Sequence, residues 1–132
     1  MRIMLDTNIL ISIIFFPSAI TRDFARKVGF GHRIVLCDYV VEELRTVVER
    51  KFPTRKKLLE QFFFELPFEL IHTPKELNTE EFPHVRDSKD FPILATAMME
   101  NIDILVTGDK DLRVIEVEYP EIMTMGEFIE KY

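Results

Sequence analysis

One cysteine, Cys37, stands in the whole sequence, so no disulfide framework can form within the chain. No apolar run approaches the roughly 18–20 residues of a membrane span. The apolar stretches near the start, Ile9–Ile11 and Ile13–Phe16, are broken by Ser12 and stopped by Pro17. Asp6 and Asn8 interrupt the segment where the apolar region of a signal peptide would run. A reducing cytoplasm, with no membrane partner, is the expected location. Glycine is scarce as well, and four residues leave little room for a glycine-rich phosphate loop. His32, His72 and His84 are scattered without zinc spacing. Cys37 has no histidine nearby and ends a strand-like run, which favours a buried structural thiol over a nucleophile. Basic residues are outnumbered, 17 against 23, for a net charge of −6. That balance argues against a binder with a broad basic face. It remains compatible with a site built of carboxylates, which is negative until a metal enters. Two basic runs stand out, Arg50, Lys51, Arg55, Lys56 and Lys57, then Arg22, Arg26, Lys27 and Arg33. Both read equally as solvated faces or as a phosphate track.

What the sequence does have is a core. Hydrophobic residues make up 47% of 132 positions, which suits one packed domain spanning residues 1–132. Arg2–Leu5, Arg33–Cys37, Phe68–Ile71, Ile104–Val106 and Ile122–Met123 read as strands. Asn8–Phe16, Ser18–Val28, a segment capped by Asp38 and running to about Phe52, Thr54–Leu66 and Phe91–Asn101 read as helices. Gly29 is the expected stop of the second helix. Pro92 falls in a first turn, where proline is tolerated. Thr124 to Glu127 match a capping box for a C-terminal helix. Thr73–Lys89 is polar and irregular. Strands alternating with helices imply an α/β fold with a parallel sheet and helices on both faces. In such folds, sites collect outside the carboxyl ends of the strands.

Asp6 directly follows the first strand, and Asp109 follows Ile104–Val106 by way of Thr107 and Gly108. In a parallel sheet both carboxylates reach the same edge, where they repel unless a cation or proton lies between them. Glu42 and Glu43 separate by geometry. Val40, Val41, Leu44, Val47 and Val48 form an apolar stripe, and at about 100° per residue Glu42 points away from it while Glu43 lies at its border. Glu43 is therefore the candidate. Asp90 opens the helix that carries Leu94, Ala95, Ala97 and Met98. Asp87 stands one step further out, and Asp111 is a further acidic candidate. Each taken alone also reads as a helix cap, a turn residue or, for Glu43, a partner of Arg50 or Lys51. Together, carboxylates at one edge suit hard divalent cations. Such an ion can activate water against a phosphodiester without a protein nucleophile.

These segments resemble a known family. Met4-Leu5-Asp6-Thr7-Asn8-Ile9-Leu10 is similar to the opening of PIN domains. Val41-Glu42-Glu43-Leu44, Arg86-Asp87-Ser88-Lys89-Asp90 with Ile93-Leu94-Ala95-Thr96-Ala97, and Val106-Thr107-Gly108-Asp109-Lys110-Asp111-Leu112 resemble the later motifs, in order. The resemblance spans Met1 to about Met125. It implies a three-layer α/β/α fold with a mostly parallel sheet. It implies Asp6, Glu43, Asp90 and Asp109 as catalytic metal-site carboxylates, Asp111 as an additional ligand, and Asn8 and Thr107 as polar supports that orient Asp6 or the substrate, while Asp87, one step further out, reads from its position as a support. It further implies a ribonuclease, with RNA as substrate; Mg2+- or Mn2+-dependent attack of water at these carboxylates is the expected route, and it leaves a 5′-phosphate and a 3′-hydroxyl. VapC-like toxins of toxin–antitoxin pairs are among the proteins it resembles, so an antitoxin partner is implied too.

Two other phosphoryl-transfer classes fit less well. A toprim-type site wants Glu where Asp6 stands, and a haloacid-dehalogenase-type site wants Asp where Asn8 stands. A catalytically inactive binding or assembly module is the competing reading. Its motivation is Phe62-Phe63-Phe64, since three consecutive aromatics on a helix cannot all face one stripe. An exposed member would point to a homodimer or a partner groove.

Overall fold

The leucine-, isoleucine- and valine-rich runs form the strands, and the segments between them form helices. The computed structural model describes residues 1–132. The order is β1 (Arg2–Leu5), α1 (Thr7–Phe15), α2 (Ala19–Val28), β2 (Arg33–Cys37), α3 (Asp38–Lys51), α4 (Lys56–Glu65), β3 (Glu69–Ile71), α5 (Phe91–Met99), β4 (Ile104–Val106), α6 (Lys110–Arg113), β5 (Glu121–Met123) and α7 (Met125–Lys131). The sheet order is β3-β2-β1-β4-β5 and every pair is parallel, so the sheet is wholly rather than mostly parallel. No single helix is long and apolar enough to cross a membrane.

Chain direction across the sheet reverses once. β1, β2 and β3 step one way, and β4 and β5 step the other. Right-handed crossovers therefore put α1 to α4 on one face and α5 and α6 on the opposite face. The packing agrees, since α1 lies against α2, α3 and α4, while α7 closes the first layer against α2. Phe24 of α2 meets Phe128 of α7 edge-to-face at 5.3 Å, and both are buried. The crevice at the reversal opens between the carboxyl ends of β1 and β4, the usual place for a site in a doubly wound sheet. The central strands are covered on both faces, and Ile3, Met4, Leu5, Ile104, Leu105 and Val106 are all buried.

Several local expectations change. Asp38 is not the cap of α3. Cys37 occupies that position without a side-chain bond, and Asp38 is the first helical residue. Its carboxylate instead accepts from the backbone N–H of Tyr39 and of Thr73 and meets His72 Nδ1 at 3.1 Å, tying the start of α3 to the segment after β3. Burial pushes the Asp38 carboxyl up, but these bonds outweigh it and leave the group below its usual range. Gly29 does end α2, yet in a right-handed conformation, and the left-handed residue of that turn is Gly31, with φ of 79°. Proline at position 53 begins a 3-10 turn over Pro53–Arg55, so α4 starts only at Lys56. The irregular stretch Thr73–Lys89 holds one 3-10 turn, Thr79–Glu81, and α6 was not expected at all.

Three members of the second basic run have partners within the fold. Lys27 Nζ donates to Ile129 O at 2.9 Å, Arg26 pairs with Asp23 and Arg33 with Glu69. The first run stays on the surface, with Lys56 near Glu49 and the Arg55 guanidinium over the Phe15 ring. Of the three consecutive aromatics, Phe62 and Phe63 are half-buried and Phe64 is 91% exposed.

Candidate metal centre

Asp6 is placed by its neighbours on both sides of the crevice. It follows β1, and its backbone N–H donates to Val106 O of β4. One carboxylate oxygen, Oδ1, accepts from Ile9 N at 2.9 Å and caps α1. The other, Oδ2, accepts from the Thr107 hydroxyl. Thr107 Oγ1 in turn accepts from the backbone N–H of Asp109 at 3.0 Å. One buried hydroxyl thus couples the carboxylate after β1 to the turn after β4. Asn8 takes no part in this, being exposed and making no hydrogen bond to Asp6. Of the two expected supports, Thr107 is the one that bonds to Asp6.

Asp109 caps α6 through the N–H of Asp111, at 2.8 Å. Asp90 stands at the cap position of α5, but its side chain accepts no bond from the helix. Its Oδ2 is buried without a hydrogen-bond partner. Ligand oxygens of Asp87, Asp90 and Asp111 all lie within 4.8 Å of one another. Asp87, expected as a support, therefore belongs to the tightest group of carboxylates. Asp6 lies deeper, and Glu43 faces the site from α3, half-buried where Glu42 is exposed.

The charges act on one another. Burial is the main force raising the Asp6 carboxyl, with Asp109 and Glu43 adding to it against the bonds from Thr107 and Ile9. Asp90 is raised to about 7, first by burial, then by the Asp109 carboxyl beside it, then by Asp87 and Asp6. Without a cation the cluster therefore resists full ionisation, because each carboxylate raises the cost of charging its neighbours. An orphaned buried oxygen within an all-oxygen donor set fits a hard divalent cation, Mg2+ or Mn2+. Asp87, Asp90 and Asp111 would hold it, with Asp109, Asp6 and Glu43 around them.

Two residues escaped the sequence reading. Tyr39 lies one helical turn before Glu43, and its hydroxyl donates to Lys89 O at 3.0 Å. It thereby anchors the segment that delivers Asp87 and Asp90. Its phenol is raised by burial and then by Glu43, Asp90 and Asp87. The four-residue spacing from Glu43 was the available signal. Arg86 pairs with Asp111 across 25 positions, and no sequence signal marks that contact. The carboxylates lie apart from an apolar cavity on the helical layer. That cavity, of about 540 Å³, is walled by Phe24, Val28, Ile34, Phe62, Leu66 and Phe68.

None of the curated proteins matches the chain. Among solved structures, one chain of VapBC2 from Rickettsia felis, bound to a DNA fragment from their promoter, is similar in fold. Its TM-score is 0.70 at 22% identity, over 93% of this chain and 97% of that one. The family model for the PIN domain matches residues 2–111, and the chain belongs to the PIN domain family.

Proposed function

We propose that the chain is a divalent-metal-dependent endoribonuclease. The observation that carries this reading is Asp90 Oδ2, buried without a partner beside Asp87 and Asp111. PIN domains are generally nucleases, which supports the same reading. A bound Mg2+ or Mn2+ would supply Lewis acidity toward a phosphodiester and a water of lowered pKa. Thr107 keeps Asp6 and the Asp109 turn in register, so the carboxylates meet the cation already oriented. A divalent cation bound among the carboxylates would offset their charge locally, which makes a net charge of −6 compatible with a nucleic-acid substrate. The test is the chemistry of the cut ends. The expected products carry 5′-phosphate and 3′-hydroxyl, and 2′,3′-cyclic phosphates would rule this route out.

The toxin role of a toxin–antitoxin pair belongs to the same proposal. Its supports are the likeness to a chain of a VapBC2 complex and the apolar cavity between α2 and α4, which suits a protein segment. Failure to find a stable protein partner by co-purification from the native host would undercut it. A homodimer is also proposed, from Phe64 at 91% exposure and Phe30 at 82%. Phe64→Ser is expected to turn a dimer into a monomer by light scattering while shifting stability by less than about 0.5 kcal/mol. A wild type already monomeric at assay concentration would refute the dimer.

A further inference from the structure

Arg86 is the one cation bonded directly to the carboxylate cluster. Its Nε donates to Asp111 Oδ1 at 2.9 Å and its Nη2 to Oδ2 at 3.3 Å, so both oxygens of Asp111 are engaged. Asp111 is also one of the three carboxylates whose ligand atoms lie within 4.8 Å of one another. A cation shared by Asp87, Asp90 and Asp111 needs one of the oxygens that Arg86 holds. The two side chains differ in burial. Arg86 is 86% exposed and Asp111 20%, so the guanidinium reaches in from solvent over a mostly covered carboxylate. Arg86 makes no other side-chain hydrogen bond or ion pair. Lys89 and Lys110, close by in sequence, are exposed and bond to none of these carboxylates through their side chains.

We infer that Arg86 is a built-in competitor for the metal, holding Asp111 in the cation-free chain and releasing it when a divalent ion binds. The inference rests on the metal-site reading above. Its chemistry is plain. A bidentate guanidinium neutralises Asp111 and fixes both its oxygens, which the ammonium of a lysine cannot do in the same geometry. The guanidinium itself lies in solvent and can return to water, so a divalent ion can displace it. The consequence is a raised threshold of free cation before the site fills. Once released, the guanidinium remains tethered beside the site with its donors free.

The test is calorimetric titration of Mn2+ into the full chain, comparing wild type with Arg86→Gln, Arg86→Lys and Lys110→Gln, each shown folded by circular dichroism. Arg86→Gln is expected to bind Mn2+ about three- to fivefold more tightly. Arg86→Lys keeps the charge but loses the fork, and is expected to recover at least half of that gain on a logarithmic scale. Lys110→Gln removes the same charge without breaking a bond to the cluster, and is expected to change affinity less than about twofold. Arg86→Gln binding no more tightly than Lys110→Gln would overturn the inference, as would Arg86→Lys binding like wild type. In either case Mn2+ binding itself would persist, so the metal site would stand. No Mn2+ binding by wild type or Arg86→Gln would overturn the metal site and the inference together.

Discussion

Asp90→Asn is expected to lower RNA cleavage at least about a hundredfold while making the metal-free protein more stable. The two effects have one cause. Asp90 contributes negative charge where Asp109, Asp87 and Asp6 already place it, and its carboxyl is raised from 3.8 to about 7. Asparagine keeps the shape, removes the charge and can donate to Asp109. The penalty that wild type carries follows from linkage. A folded pKa above the unfolded one means that the native state holds the proton more tightly. The associated stability is complete below pH 3.8 and is lost as pH rises toward about 7. Asp90 is only partly buried, so solvent screens the repulsion, and the loss comes to about 1–2 kcal/mol. In chelator, wild type and Asp90→Asn are therefore expected to unfold alike near pH 4. The variant should be the more stable by about 1–2 kcal/mol at pH 8. Mn2+ should reverse the order at pH 8, because binding stabilises only the chain that binds. Urea unfolding at both pH values decides it. A variant less stable than wild type at pH 8 in chelator would show that the cluster is not under charge repulsion.

Thr107→Val is expected to cost about 2–3 kcal/mol of stability and about ten- to a hundredfold in cleavage. Valine fills nearly the same volume, so the packing around this fully buried position survives. What goes is the hydroxyl that donates to Asp6 Oδ2 and accepts from Asp109 N. The Asp6 carboxylate, 4% exposed, is then left with one bond from Ile9, and an unsatisfied buried charge is costly. Thr107→Ser retains the hydroxyl and is expected to restore most of the activity, which a mere packing defect would not allow. Cleavage by Thr107→Val within twofold of wild type would remove Thr107 from the machinery.

The contrast between these positions explains how much of the site was legible in the sequence. Asp6 and Asp109 stand out as candidates because one directly follows a short apolar run and the other follows one by way of Thr107 and Gly108, and the structure places both at the same edge of the parallel sheet, linked through Thr107. Glu43 was separated from Glu42 by the helical period, and the structure keeps that difference in exposure. Arg86, Tyr39 and the proximity of Asp87 to Asp111 were not legible. They depend on the path of Thr73–Lys89, which has no period to read and whose position is set by bonds from distant elements, such as Tyr39 to Lys89 O. Asp38 misled for a related reason. Its residue type suits a cap, but the competing donors at Thr73 and His72 come from after β3 and are invisible locally.

Cleavage of a mixed pool of labelled single-stranded and structured RNAs tests the central claim most directly, run with Mn2+, with chelator, and with folded Asp90→Asn. The expected result is cutting by wild type that chelator stops, that added Mn2+ restores, and that Asp90→Asn lacks. Cutting that persists in chelator, or that Asp90→Asn retains in full, would contradict a metal-dependent nuclease centred on these carboxylates.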